Sequence, residues 1–124
     1  MTNPSRAEQL RNRTNQFALQ VIRFCRTLPN NAEGWVIGKQ LLRSGTSVAA
    51  NYRAAQRGRS HAEFVAKLGI VVEECDETVF WLELLAAAGT AQPDTLHEAT
   101  KEAKELLAIF AASQKTSKAA GAGR

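Results

Sequence analysis

Four stretches of this chain carry apolar or small residues at alternating steps of three and four, and each of the first three ends at a proline or glycine. That spacing keeps the side chains on one stripe of a 3.6-residue helix and does not fit a strand, whose faces alternate at every residue. In the first stretch Leu10, Thr14, Phe17, Val21, Phe24 and Leu28 form the stripe of a helix beginning near Ser5, and Pro29 with Asn30 and Asn31 ends it. The second runs from about Ala32 to Arg57 on Ile37, Leu41, Ser44, Val48, Asn51 and Ala55, and Gly58 closes it. Ser60 and Glu63 read as a capping box opening a third helix, whose seam is Phe64, Leu68, Val71, Cys75, Val79, Leu82 and Ala86 and whose end is Gly89. Pro93 fits the first turn of a fourth, with Leu96, Ala99, Ala103, Leu106 and Phe110 turned inward. Four amphipathic helices on short connections predict an all-α fold, an antiparallel up-down four-helix bundle.

At 124 residues there is room for one domain. The bundle is predicted over residues 1–113. Residues 114–124, rich in Lys, Ala and Gly without apolar anchors, are predicted to be a flexible basic tail. No apolar run approaches the roughly 20 residues that span a bilayer, and MTNPSRAEQLRNR at the amino terminus lacks a hydrophobic signal core. A cytoplasmic location with no membrane partner is therefore expected. Cys25 and Cys75 make neither a CxxC pair nor a zinc set, so they are expected as small apolar fillers without a disulfide.

The net charge of +4 is unevenly spread along the chain. Through Arg59 there are ten Lys and Arg against Glu8 and Glu33, whereas from Ser60 to Ser113 three lysines face ten carboxylates. Two explanations stand: basic and acidic helices neutralise one another inside one bundle, or the charges segregate on the surface and serve association or phosphate binding. On the second helix Lys39, Arg43, Arg53 and Arg57 fall within an arc of about 80° opposite the seam, so they share one face.

Catalytic chemistry has little support. His61 and His97 stand at helix starts, outside any HExxH or CxxH spacing, and suit solvated or capping roles better than metal ligation. The run Glu73, Glu74, Cys75, Asp76, Glu77 lacks the Glu-x-x-His pairs of a di-iron bundle, and a solvated or salt-bridged face explains it better. No GxxxxGK or GxSxG motif occurs, and Ser44-Gly45-Thr46 lies mid-helix, where small residues permit close helix approach or a bend. Asn51 on the second seam requires hydrogen-bond partners, from Ser44 or a backbone carbonyl, and is expected as a register-fixing polar core residue. No catalytic residue, metal or cofactor is predicted.

The third helix has more apolar surface than a monomeric bundle needs. Ile70, Phe80, Trp81, Leu84 and Leu85 lie off its seam, which predicts a homo-oligomer with Phe80, Trp81 and Leu84 at the subunit interface; wide burial inside one bundle is the alternative.

The phrases QLLRSGTSVAANYRAAQRGRS (40–60) and EFVAKLGIVVEECDETVFWLELL (63–85) resemble the 23S rRNA intervening-sequence proteins. The resemblance spans the second and third helices, about a third of the chain, while the flanking helices agree in length and order. It implies an antiparallel four-helix bundle assembled as a ring-shaped homopentamer, in a family whose molecular function is mostly unassigned. A related branch, the accessory proteins of diversity-generating retroelements, is pentameric and basic, and binds a reverse transcriptase and nucleic acid. Tyr52-Arg53-Ala54-Ala55 departs from the commoner, more acidic segment and makes the local surface more basic.

Two functions from different classes follow. In the first, a non-enzymatic oligomer binds RNA or a nucleic-acid complex through phosphate contacts from Lys39, Arg43, Arg53, Arg57 and Arg59, assisted by Arg6 and Arg13. In the second, a scaffold or protein-partner module pairs those cations with acidic groups, and nucleic acid is irrelevant. Aromatic residues are too few for base-specific single-strand recognition.

Overall fold

A computed structural model describes residues 3–122. Four helices follow one another: α1 (Arg6–Arg26), α2 (Ala32–Gln56), α3 (His61–Ala88) and α4 (Pro93–Ala122). Each packs on its neighbours in the chain, and α4 closes on α1, with no close backbone approach across the diagonals among the described residues. Contacts run in opposite senses along every pair. Gln56 meets Ala7 while Gly45 meets Val21, Arg43 meets Glu77 while Gly58 approaches Phe64, Glu83 meets Lys104 while His61 meets Ser117, and Arg13 meets Glu102 while Phe24 shares a cleft with Thr95. The helices are therefore antiparallel, going up and down in turn.

Local chemistry sets the helix ends. Ser5, Asn31 and Ser60 cap the first three helices by accepting the amides of Glu8, Gly34 and Glu63. Glu63 does reach back, but it accepts the amide of Arg59 at 2.6 Å, one residue earlier than a reciprocal box requires. Beyond α3, Gly89 takes φ 67°, and the amides of Gly89 and Thr90 donate to Ala86 and Leu85. This left-handed closure satisfies two terminal carbonyls and reverses the chain into α4.

The core is built from the predicted stripes: Phe17, Val21, Leu41, Val48, Leu68, Val71, Cys75, Leu82, Ala99, Ala103, Leu106 and Phe110 are buried. Two seam assignments shift, at Asn51 and Ala86. Asn51 is only half-buried, donating to the carbonyl and hydroxyl of Ser47 on its own helix, while Tyr52 takes the inward position with its ring 5.0 Å from that of Phe110. The buried polar member of the α2 seam is Ser44, which bonds Thr78 of α3 at 2.9 Å. On α3 the inward side ends at Leu85, with Ala86 exposed, because Thr78 and Leu85 join the stripe as α3 packs between two neighbours.

Close approach of α1 to α2 depends on Gly45, where an added Cβ would lie 2.8 Å from Val21 Cγ2. Of the two cysteines, Cys75 is buried and Cys25 half-buried, and both are free.

The flexible basic tail expected beyond Ser113 falls on the last turns of α4. α4 continues unbroken to Ala122, and its last turns lie along α3, with Gln114 near Gly69 and the carbonyl of Ser117 accepting from His61 Nε2 at 2.8 Å. Alanine and lysine propagate a helix readily once it is nucleated, which is why a stretch without apolar anchors extends an existing one. Gly123 and Arg124 lie outside the described residues.

Candidate nucleic-acid interface

The basic side chains of α2 share its outer side. Lys39, Arg43, Arg53 and Arg57 are all exposed, and Arg59 is exposed in the α2–α3 turn. From Lys39 to Arg57 the row extends about 27 Å at the helical rise. These five do not share one electrostatic state. Arg43 donates to Glu74 Oε2 at 3.3 Å and ion-pairs with Glu77, while its Nε reaches Gln40 Oε1 at 3.2 Å. Trp81 Nε1 donates to the same Glu77 oxygen at 3.2 Å. Arg43 is thus a strut between α2 and α3, held by carboxylates of the acidic run. Lys39, Arg53, Arg57 and Arg59 have no ion pair among the described residues.

Arg13 does not join this face as expected. Its guanidinium forks onto Glu102 of α4, with Nε and Nη2 at 2.8 and 2.6 Å, and Glu105 lies 3.9 Å away. The hydrogen bonds to Glu102 raise its pKa further. The reason is packing order: Arg13 lies on the flank of α1 that meets α4, and the flank meeting α2 carries Arg11 and Asn15.

Between α1 and α2 these residues border an open cleft of about 760 Å³ with Arg53, Gln56, Arg57, Tyr52 and Phe64. Three arginines and no carboxylate line it. Gln56 Nε2 donates to the carbonyl of Ala7 at 3.1 Å, tying the end of α2 to the start of α1, while its Oε1 is buried without a partner. Burial raises the Tyr52 pKa, while the positive charges of Arg6 and Arg11 pull it back, so the cationic field reaches the floor of the cleft. Arg11 escaped the sequence reading because helical periodicity identifies the core side of α1, and not which neighbour each flank meets.

Other candidate chemistry is dispersed. No three His, Cys, Asp or Glu side chains gather as a metal site among the described residues. Burial pushes the Cys25 thiol up to about 11 and that of Cys75 up to about 12, with Glu74 and Asp76 adding to the second. His61 lies against the α4 backbone and His97 is exposed on α4. No helix is long and apolar enough to cross a membrane among the described residues.

The predicted interface residues have unequal surroundings. Phe80 and Leu84 are exposed, at 53% and 38%, but Trp81 is half-buried against its own core, edge-on to Phe80. Sequence reasoning missed Trp35 and Val36, which are 67% and 63% exposed at the start of α2. Trp35 Nε1 donates to Asn30 Oδ1. Both lie in the opening turns before the seam begins, where an apolar residue gives no periodic signal.

The family model of the 23S rRNA-intervening sequence protein matches residues 7–112, which takes in α2 and α3 whole and most of α1 and α4. Among proteins of curated function none matches. Among solved structures, the chain is similar to a protein of unknown function from the S23 ribosomal protein family of Bacteroides thetaiotaomicron, with 30% identity and a TM-score of 0.82. That likeness covers 90% of this chain and 99% of the other. With the family model matched along most of its length and the bundle shared with a relative over nearly all of it, the chain belongs to the 23S rRNA-intervening sequence protein family.

Proposed function

We propose that this protein is a non-enzymatic homo-oligomer, a pentamer as the family resemblance implies, that binds RNA through the outer face of α2. The observation that carries this reading is the state of its cations: Lys39, Arg53, Arg57 and Arg59 are exposed and without ion pairs among the described residues, while the neighbouring Arg43 has two carboxylate partners. Unpaired cations in a row attract a phosphate chain and release its counterions on contact. Fivefold repetition turns a weak row into a belt that binds by avidity. Sequence preference is slight, since contacts go to phosphates and not to base edges.

Titration of mixed-sequence RNA at several salt concentrations tests this. Affinity falls with salt at about 0.7 to 0.9 logarithmic units per phosphate contact. Negligible binding at low salt defeats the reading.

A second reading is favoured by a separate observation. Val36, Phe80 and Leu84 are exposed apolar residues, and Arg43 is already spent on Glu74 and Glu77, as a protein-partner module would have it. In that case the apolar surface engages another protein and RNA binding is absent.

A further inference from the structure

The cleft between α1 and α2 gathers three positive charges and no negative one. Arg53 and Arg57 are one turn apart on α2, where like charges repel. The C-terminal end of α2 compensates them in part, because a helix dipole favours cations there. Arg11 has no such compensation. It lies in the second turn of α1, near the positive end of that helix's dipole, and antiparallel packing sets it beside the α2 pair. No carboxylate lines the cleft, and none of the three arginines has an ion pair among the described residues. Fold stability does not explain this convergence; an anion seated among the three does.

The other walls narrow the kind of anion. Its volume of about 760 Å³ suits a small organic ligand better than a bare ion. Phe64, half-buried, supplies an apolar wall, and Asn15 an exposed amide. We propose that this cleft seats one nucleotide unit, its phosphate held by Arg11, Arg53 and Arg57 and its sugar and base lying along Phe64. The identity of that unit as part of an RNA strand rests on the reading of the α2 face given above. Arg11 would be the discriminating residue, since it belongs to the cleft and not to the row on α2.

Two probes separate the cleft from the face. In an NMR titration of the full-length protein, uridine monophosphate should shift the amides around residues 11, 53 and 57 saturably, and uridine without phosphate should not. Arg11→Gln, an exposed change checked for folding by circular dichroism, should weaken monophosphate binding about tenfold, as loss of a charge-assisted contact implies. Lys39→Gln should leave it unchanged. For single-stranded RNA followed by fluorescence anisotropy, Arg11→Gln should cost more affinity than Lys39→Gln. If the monophosphate does not bind, or binds Arg11→Gln as well as the parent, the cleft proposal is overturned, whatever RNA does. If the monophosphate binds and loses affinity in Arg11→Gln while RNA fails to bind, the α2 face is overturned and the nucleotide cleft stands.

Discussion

The hydroxyls of Ser44 and Thr78 lie 2.9 Å apart in the closed core, joining α2 to α3. Each also reaches a carbonyl of its own helix, Leu41 at 3.3 Å and Glu74 at 2.7 Å. A buried polar pair of this kind is stable only while both members are satisfied. Thr78→Val keeps the shape and removes one partner, so it should destabilise by about 1 to 2 kcal/mol. Adding Ser44→Ala should cost much less than it does alone, because the orphaned hydroxyl is then gone. Urea denaturation of the four proteins measures the coupling, and strictly additive losses would show that the pair does not interact.

Gly45 and Val21 set the distance between α1 and α2. Alanine at position 45 gains helix propensity of about 1 kcal/mol. Its methyl would nonetheless lie 2.8 and 2.9 Å from the two Val21 methyls, and a β-branched side chain in a helix has little rotamer freedom to turn them away. Gly45→Ala should therefore destabilise by about 1 to 2 kcal/mol net. In a Val21→Ala background the same change should be neutral or favourable, as measured by thermal melting.

Arg53 and Arg57 have no carboxylate partners among the described residues, and Arg43 has two. Reversing both to Glu should lower RNA affinity steeply and flatten its salt dependence, leaving the oligomer intact by sedimentation. Arg43→Gln should affect RNA less. Its ion pairs are exposed, so the same change should alter stability by only about 1 kcal/mol or less. An assembly that falls apart on reversal of Arg53 and Arg57 would place these arginines between subunits.

Phe80 and Leu84 are the exposed members of the predicted interface. Converting both to Asp should leave the bundle's helicity unchanged while shifting sedimentation toward a 13.5 kDa species. Trp81→Ala, by contrast, should lower the melting temperature directly, since its ring packs on the core. A parent protein that already sediments as a monomer would sink the oligomer proposal.

Burial raises both thiol pKa values from 9.0, to about 11 for Cys25 and about 12 for Cys75. The unfolded chain therefore loses these protons first as pH rises. Their contribution to stability is intact below about pH 9 and declines between pH 9 and 11 to 12. Alkaline denaturation should show that slope, and Cys75→Ala should reduce it. At pH 8 iodoacetamide should modify Cys25 slowly, and Cys75 only when the bundle opens.

Steps of three and four residues determined the helices, their order and nearly all of the core, because a helix that must bury one stripe leaves its period in the chain. Pro29, Gly58, Gly89 and Pro93 marked the ends for equally local reasons. The row Lys39, Arg43, Arg53 and Arg57 was legible too, since their angular positions depend on one helix alone. What the period cannot carry is which helix each flank meets. Packing decided that Arg13 pairs with Glu102 while Arg11 borders the cleft, that Arg43 spans to Glu74 and Glu77, and that Ser44, not Asn51, is the polar residue of α2 sealed in the core. It also carried α4 past Ser113, where α3 offers a surface to lie along. Each of these is a relation between side chains more than 12 residues apart or a choice between two flanks of one helix, and only the assembled bundle fixes either.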